Sequence, residues 1–220
     1  MYYAGIARFI QTHYDLLNVN IVGTSAGIYA ATALAYGINI ERLIYEGALP
    51  NLLRMQKIQQ FGTMNFFCEY CIDNTIAYYR SLHGVDHRNS SRLFISASSI
   101  GTGGLQKVYF TNGSIESMIV CGYISSWIPF LTCPLLRPFY RIDDRYYVDG
   151  YLSGNRDLTD NQLVISPDVF KKRPFHKRWL WLGVEYNLNE YHEGYLDAMA
   201  SKETLDAFFK RRIAYKVDSH

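Results

Sequence analysis

The sequence predicts one α/β domain of three layers, α/β/α, with a mainly parallel central sheet. Three observations carry that reading. A short apolar run, Val19-Asn20-Ile21-Val22, turns at Gly23-Thr24-Ser25-Ala26-Gly27 directly into a helix-like run over residues 28–36, which Gly37 closes. Residues 161–166 and 179–184 are apolar enough for buried parallel strands. With 220 residues, 49% of them hydrophobic, the chain can bury a full core, so a single domain over 1–220 is expected.

The first element, residues 2–17, reads as an amphipathic helix, because Ile6, Phe9, Ile10, His13, Leu16 and Leu17 recur at three- and four-residue steps. No Ser, Thr, Asp or Asn cap stands ahead of it. A helix that feeds a buried strand normally follows another parallel strand, so an upstream strand is expected to be missing.

The turn at 23–27 has the context of a nucleophile elbow, a strand and a helix joined sharply around a serine. Gly23 and Gly27 spare the turn side chains that would press on the strand and helix. Ser25 then stands at a helix N-terminus, where free N–H groups and the helix dipole favour a developing negative charge. A catalytic serine is the reading the setting favours; the alternative is a tight structural turn that carries serine.

Residues 40–49 form a second helix, expected to stop at Pro50. Residues 51–91 are mostly helical in pattern and hold Phe61, Phe66, Phe67, Tyr70, Tyr78 and Tyr79. They read either as a cap over a lipid-sized cleft or as ordinary helices packed on the sheet. Residues 92–98 and 107–111 are strand-like, and Gly101-Thr102-Gly103-Gly104 between them reads as a hairpin turn rather than a phosphate or oxyanion loop, since no helix follows it. Residues 114–123 form a short helix capped by Ser114, with Glu116 in its first turn. Residues 127–131 read as a buried loop.

Asp143-Asp144 marks a second hairpin turn before a strand over 145–148, and Asp149-Gly150 sits where that strand ends. Locally, Asp149 reads equally as a site carboxylate, with Gly150 admitting a close backbone, or as an ordinary Asp-Gly turn. The basic run 171–178 abuts Trp179 and Trp181. It reads as a solvated loop, with peripheral contact to an anionic membrane as the alternative. The last helix is expected over about 195–217, carrying Leu196, Met199, Leu205, Phe208, Phe209 and Ile213, with Lys210, Arg211 and Arg212 complementing its dipole.

Composition narrows the function classes. A formal net charge of +2, with no nucleic-acid-binding motif, argues against nucleic-acid binding. No apolar run approaches the roughly 18 residues of a spanning helix, and the N-terminus lacks a secretory layout. Four cysteines without a pairing framework fit a reducing, intracellular and cytoplasmic setting. Cys68 and Cys71 form a lone C-x-x-C, read as packing, so no metal or other cofactor is expected. Nor is there a loop of the calcium-binding EF-hand type.

Residues of about 3–160 resemble the patatin-like phospholipase family. The likeness rests on four segments in the family's order: Tyr3-Ala4-Gly5-Ile6, similar to the start of its first helix; Gly23-Thr24-Ser25-Ala26-Gly27, similar to its serine elbow; Leu93-Phe94-Ile95-Ser96-Ala97 followed by Gly101, similar to its central strand; and Ser125-Ser126-Trp127-Ile128-Pro129-Phe130 running on to Tyr147-Val148-Asp149-Gly150, similar to its aspartate ending. The resemblance implies a serine lipid acyl hydrolase with a catalytic Ser25–Asp149 dyad. Gly23, Ala26, Gly27 and Gly150 would shape the elbow and the oxyanion site. Its substrates would be acyl esters of phospholipids or glycerolipids, cleaved through an acyl-enzyme.

The sequence also departs from that pattern. The family's first strand and glycine-rich oxyanion loop would lie upstream of Tyr2, Tyr151 replaces a small residue after Asp-Gly, and Asp157 stands in place of a proline. Either the chain is a piece of a longer product or it is a shortened homologue. Under both readings little hydrolysis is expected of these 220 residues alone, since one lost oxyanion donor costs about 10²–10³ in kcat. Two rivals remain. One is a lipid- or partner-binding pseudoenzyme that keeps the cleft. The other is an α/β-hydrolase esterase with Ser25, Asp149 and either His176 or His192 as a triad.

Overall fold

A computed structural model of the chain describes residues 1–59, 74, 77–79, 81, 91–129, 137–154, 162–164 and 184–217. Within these, helices and an open six-stranded sheet make a broadly α/β fold. Helix α1 spans Tyr2–His13 and buries Ile6, Phe9 and Ile10. It stops four residues earlier than the apolar stripe suggests, because the Asp15 carboxylate accepts the Leu17 N–H (2.9 Å) and bends the chain into a side-chain turn. Leu17 and His13 consequently face solvent.

Strand β1, Asn20–Thr24, has three consecutive buried residues, Ile21, Val22 and Gly23, so it is covered on both faces. A single 3₁₀ turn, Ser25–Gly27, leads into α2, Ile28–Ala35. Helix α3, Ile40–Arg42, is capped by Asn39, whose side chain accepts the Arg42 N–H. Pro50 does not end the helical run. The backbone widens into a π-helical stretch over Leu43–Ala48 and continues as α4, Leu49–Gln59, with Pro50 in its first turn. Proline is costly in a helix interior for its missing N–H and its clash with the carbonyl four residues back; at a first turn, after a widened register, both penalties fall away.

Strands β2, Leu93–Gly101, and β3, Gly104–Phe110, form the expected hairpin, with Gly101 paired to Gly104 and Gly104 at φ 99°. Helix α5, Ile115–Ser125, is capped by Ser114, whose hydroxyl accepts the Ser117 N–H (3.2 Å). Strands β4, Tyr140–Ile142, and β5, Arg145–Asp149, form the second hairpin around Asp143, which takes φ 50°. Strand β6, Gln162–Val164, pairs parallel with β1.

The expectation of a mainly parallel sheet is corrected. Strand order is β4-β5-β2-β1-β6 with β3 also on β2. Among the described residues the β1–β2 and β1–β6 pairings are parallel, and β2–β3, β2–β5 and β4–β5 are antiparallel. Two-residue turns can join only antiparallel neighbours, which accounts for β2–β3 and β4–β5, while β5 docks antiparallel on β2 from far along the chain. The strand expected over 179–184 falls outside the described residues, save Val184, which instead opens a helix.

The final helix is two helices, α6, Val184–Ala200, and α7, Lys202–Val217. Ser201 divides them: its N–H donates to the carbonyls of Asp197 (3.0 Å) and Ala198 (3.2 Å), while its own carbonyl accepts the Leu205 N–H. Serine favours such junctions over helix interiors. Leu205 and Phe209 join the core, but Leu196 and Met199 are half exposed. Helix α6 instead presents Glu190, Tyr191, Gly194 and Ala198 inward, and Gly194 fits directly on the Tyr2 carbonyl of α1.

The core gathers α1, α2, the odd-numbered side chains Leu93 and Ile95 of β2, and residues of α5, α6 and α7. Arg92 donates to the carbonyls of Leu16 and Ala35, tying the entry to β1 and the end of α2 to the start of β2. Of the aromatics in the suggested cap, Tyr79 is buried in this core and Tyr78 packs against it, whereas Phe61, Phe66, Phe67 and Tyr70 lie outside the described residues. So do Cys68, Cys71 and the basic run 171–178. Among the described residues no helix is long and apolar enough to cross a membrane.

Candidate active site

Strand register brings two chain ends together. On β2, Ser96 lies between Thr24 of β1 and Tyr109 of β3, while the next residue, Ala97, lies between Asp149 of β5 and Val108 of β3. Because β3 holds one edge throughout, β1 and β5 share the other edge and run toward each other. Their last residues, Thr24 and Asp149, meet one β2 residue apart. Ser25 follows Thr24 at that junction.

Ser25 carries the elbow's strain. It adopts φ 50°, a left-handed conformation that costs a non-glycine residue free energy and concentrates at functional sites. Its neighbours explain how the turn fits. A Cβ on Gly23 would sit 3.0 Å from both the Ala31 Cβ and the Ile28 Cα, so the close approach of β1 and α2 needs glycine there. Gly27, by contrast, has ordinary helical geometry, φ −70° and ψ −14°. The positive φ of the turn falls on the serine itself.

Ser25 is partly exposed, while Asp149 is 1% exposed. Burial pushes the Asp149 carboxyl above its usual range; a hydrogen bond from the Ser25 side chain and the Tyr151 N–H partly offset this. Tyr151 N–H donates to Oδ1 at 2.8 Å. Oδ2 is buried without a partner at full hydrogen-bond geometry. The Ser25 side chain thus favours the charged form of this carboxyl, although no hydrogen bond of normal geometry reaches Oδ2. A buried carboxyl of raised pKa beside a strained serine hydroxyl has the chemistry of a general base and its nucleophile.

The backbone around Asp149 is held from several sides. Its N–H donates to the Trp127 carbonyl (2.8 Å) and its carbonyl accepts the Ser98 hydroxyl (2.7 Å), which in turn accepts the Ser153 N–H (3.0 Å). Gly150 N–H donates to the Ser125 carbonyl (3.1 Å). A Cβ on Gly150 would collide with the Ser96 carbonyl, so glycine permits this approach. Thr24 and Ser96 exchange a hydroxyl–hydroxyl bond of 2.6 Å across the strands. Ser25 N–H donates to the Ser125 hydroxyl at 2.9 Å. Ala26, the residue after the serine, lies in the first turn of the helical segment.

The hydroxyls of Ser96, Ser98 and Ser125 were given no role of their own by sequence reasoning. A signal existed for two of them: Ser96 and Ser98 alternate on one face of an otherwise apolar strand, and a buried hydroxyl needs a partner. Neither histidine weighed for a triad has a described contact with Ser25 or Asp149. His192 is an exposed residue of α6 set edge-on to Tyr191, and His176 lies outside the described residues. Among the described residues no cluster of His, Cys, Asp and Glu could hold a metal ion. No protein-family model matches the chain, and no curated protein matches it either.

Proposed function

We propose that the chain is a serine acyl hydrolase of patatin-like architecture, three-layered, working through a Ser25–Asp149 dyad. The observation behind it is the meeting of a strained, accessible serine with a buried carboxyl of raised pKa at the junction of β1 and β5. Asp149 takes the Ser25 proton as Oγ attacks the acyl carbonyl carbon. The carbonyl oxygen gains the negative charge and is met by the Ala26 N–H at the helix start. The tetrahedral intermediate collapses, Asp149 returns the proton to the departing alcohol, and an acyl–Ser25 ester remains. Water, deprotonated by Asp149, then releases the acid and restores Ser25.

The substrates proposed are acyl esters of phospholipids or neutral glycerolipids, met by an intracellular protein in peripheral contact with a membrane. Among the described residues the groups acting on Asp149 are Ser25 and the Tyr151 N–H, and His192 is not one of them. The test incubates the full chain with a p-nitrophenyl acyl ester and with phospholipid vesicles. Acylation lost in Ser25→Ala supports the dyad. Vesicle binding without acylation, unchanged by that substitution, marks a lipid-binding pseudoenzyme instead.

A further inference from the structure

Ser125 is the last residue of α5 and is fully buried, 0% exposed. Its two oxygens reach both halves of the site. The hydroxyl accepts the Ser25 N–H (2.9 Å), and the carbonyl accepts the Gly150 N–H (3.1 Å), beside Asp149. Two residues on, the Trp127 carbonyl accepts the Asp149 N–H (2.8 Å). The end of one helix thus grips the nucleophile's backbone and the base's backbone together.

We propose that Ser125 is a positioning residue for the nucleophile, holding Ser25 in its left-handed conformation so that its hydroxyl faces Asp149; this rests on the dyad reading above. The physical need is plain. At φ 50° Ser25 is strained, and a strained conformation persists only when its surroundings fix it. The side chain of Ser125 supplies that fixation at the residue's own N–H. It also occupies that N–H, so the donor turned toward a developing oxyanion is Ala26 and not Ser25. Removing the hydroxyl takes away the partner of the Ser25 N–H, and the cheapest relief is for Ser25 to relax out of its strained geometry. The backbone bond from Gly150 to Ser125 is untouched by that change, so Asp149 stays where it is.

The test uses Ser125→Ala in the full chain, with two readouts. The first is the reaction of Ser25 with a fluorophosphonate, resolved into a binding constant and a chemical inactivation rate. The expected result is a fall of roughly ten- to a hundredfold in the chemical rate with binding unchanged, because the substrate-facing surface is intact. The second is amide hydrogen exchange at Ser25, slow in the native chain and faster in Ser125→Ala. Melting of the variant, read by circular dichroism, establishes that it is folded. An unchanged chemical rate and unchanged exchange in a folded variant would overturn the proposal. Should the variant fail to fold, fast Ser25 exchange in the native chain would overturn it and slow exchange would uphold it. A native chain that the reagent never labels sinks the dyad reading, while the exchange measurement still decides the role of Ser125.

Discussion

Gly150 lies so close against Ser96 that no Cβ fits between its Cα and the Ser96 carbonyl. The strand end carrying Asp149 is therefore seated on β2 by backbone contact, one residue from where Thr24 pairs and Ser25 turns away. Gly150→Ala must push that strand end outward. The expected cost is about 1–3 kcal/mol of stability, typical of overpacking. Any acyl transfer should fall by about 10²-fold, since a displacement of that order misaligns the reacting atoms. Melting temperature and esterase rate, measured on the same preparation, check both.

A second prediction concerns the strain at Ser25. Glycine reaches φ 50° without the Cβ penalty that alanine and serine carry. Ser25→Gly and Ser25→Ala should both lack acylation, yet the glycine variant should be the more stable of the pair by about 1 kcal/mol. Denaturant unfolding of the two variants decides it. Equal stability, or a more stable alanine variant, would mean that the elbow carries no strain.

The third follows from burial of Asp149. Its carboxyl is raised in the folded chain, so the folded state holds that proton more tightly than the unfolded state does. Between the unfolded carboxyl range, about 3.9 for aspartate, and the raised folded value, stability contributed by this group falls as pH rises. Asp149→Asn keeps an oxygen acceptor for the Tyr151 N–H and removes the buried charge. It should be more stable than the native chain at neutral pH, with the gain fading as pH drops below the ordinary aspartate range. Acylation by the native chain should rise with pH across the same raised titration, because only the carboxylate accepts the serine proton.

The fourth separates scaffold from site. Gly5 of α1 lies on the Tyr191 carbonyl of α6, and Gly194 of α6 lies on the Tyr2 carbonyl of α1. Gly194→Ala forces these helices apart and should lower stability by about 1–3 kcal/mol. The acylation rate per folded molecule should stay at the native level, because neither helix supplies a residue that contacts Ser25 or Asp149 through the bonds described above. Thermal melting and active-site titration read the two effects separately.

Much of this was legible from the residues. The elbow at 23–27, both hairpin turns, the Ser114 cap and the β6 run all have local chemical causes: small residues, turn formers, a hydroxyl before a helix. Direction of pairing was less legible. Hairpin turns were read correctly, but the sheet's balance of parallel and antiparallel neighbours depends on how β5 docks on β2, far away in sequence. Pro50 misled for a related reason, because a π-helical widening upstream is set by packing and not by the proline itself. At the site, a serine in a turn and an aspartate before a glycine carried chemical signals. The hydroxyls of Ser96, Ser98 and Ser125 carried weak ones, since a serine's partner becomes visible only once the chain has folded around it.

The idea that most of the chemistry depends on is that the Ser25 oxygen is made reactive by the Asp149 carboxyl. Intact-mass and peptide mapping of the full chain after fluorophosphonate treatment addresses it directly. The expected result is a single adduct on Ser25, formed faster as pH rises and suppressed in Asp149→Asn. An adduct elsewhere, none at all, or equal labelling of Ser25 in Asp149→Asn would contradict it.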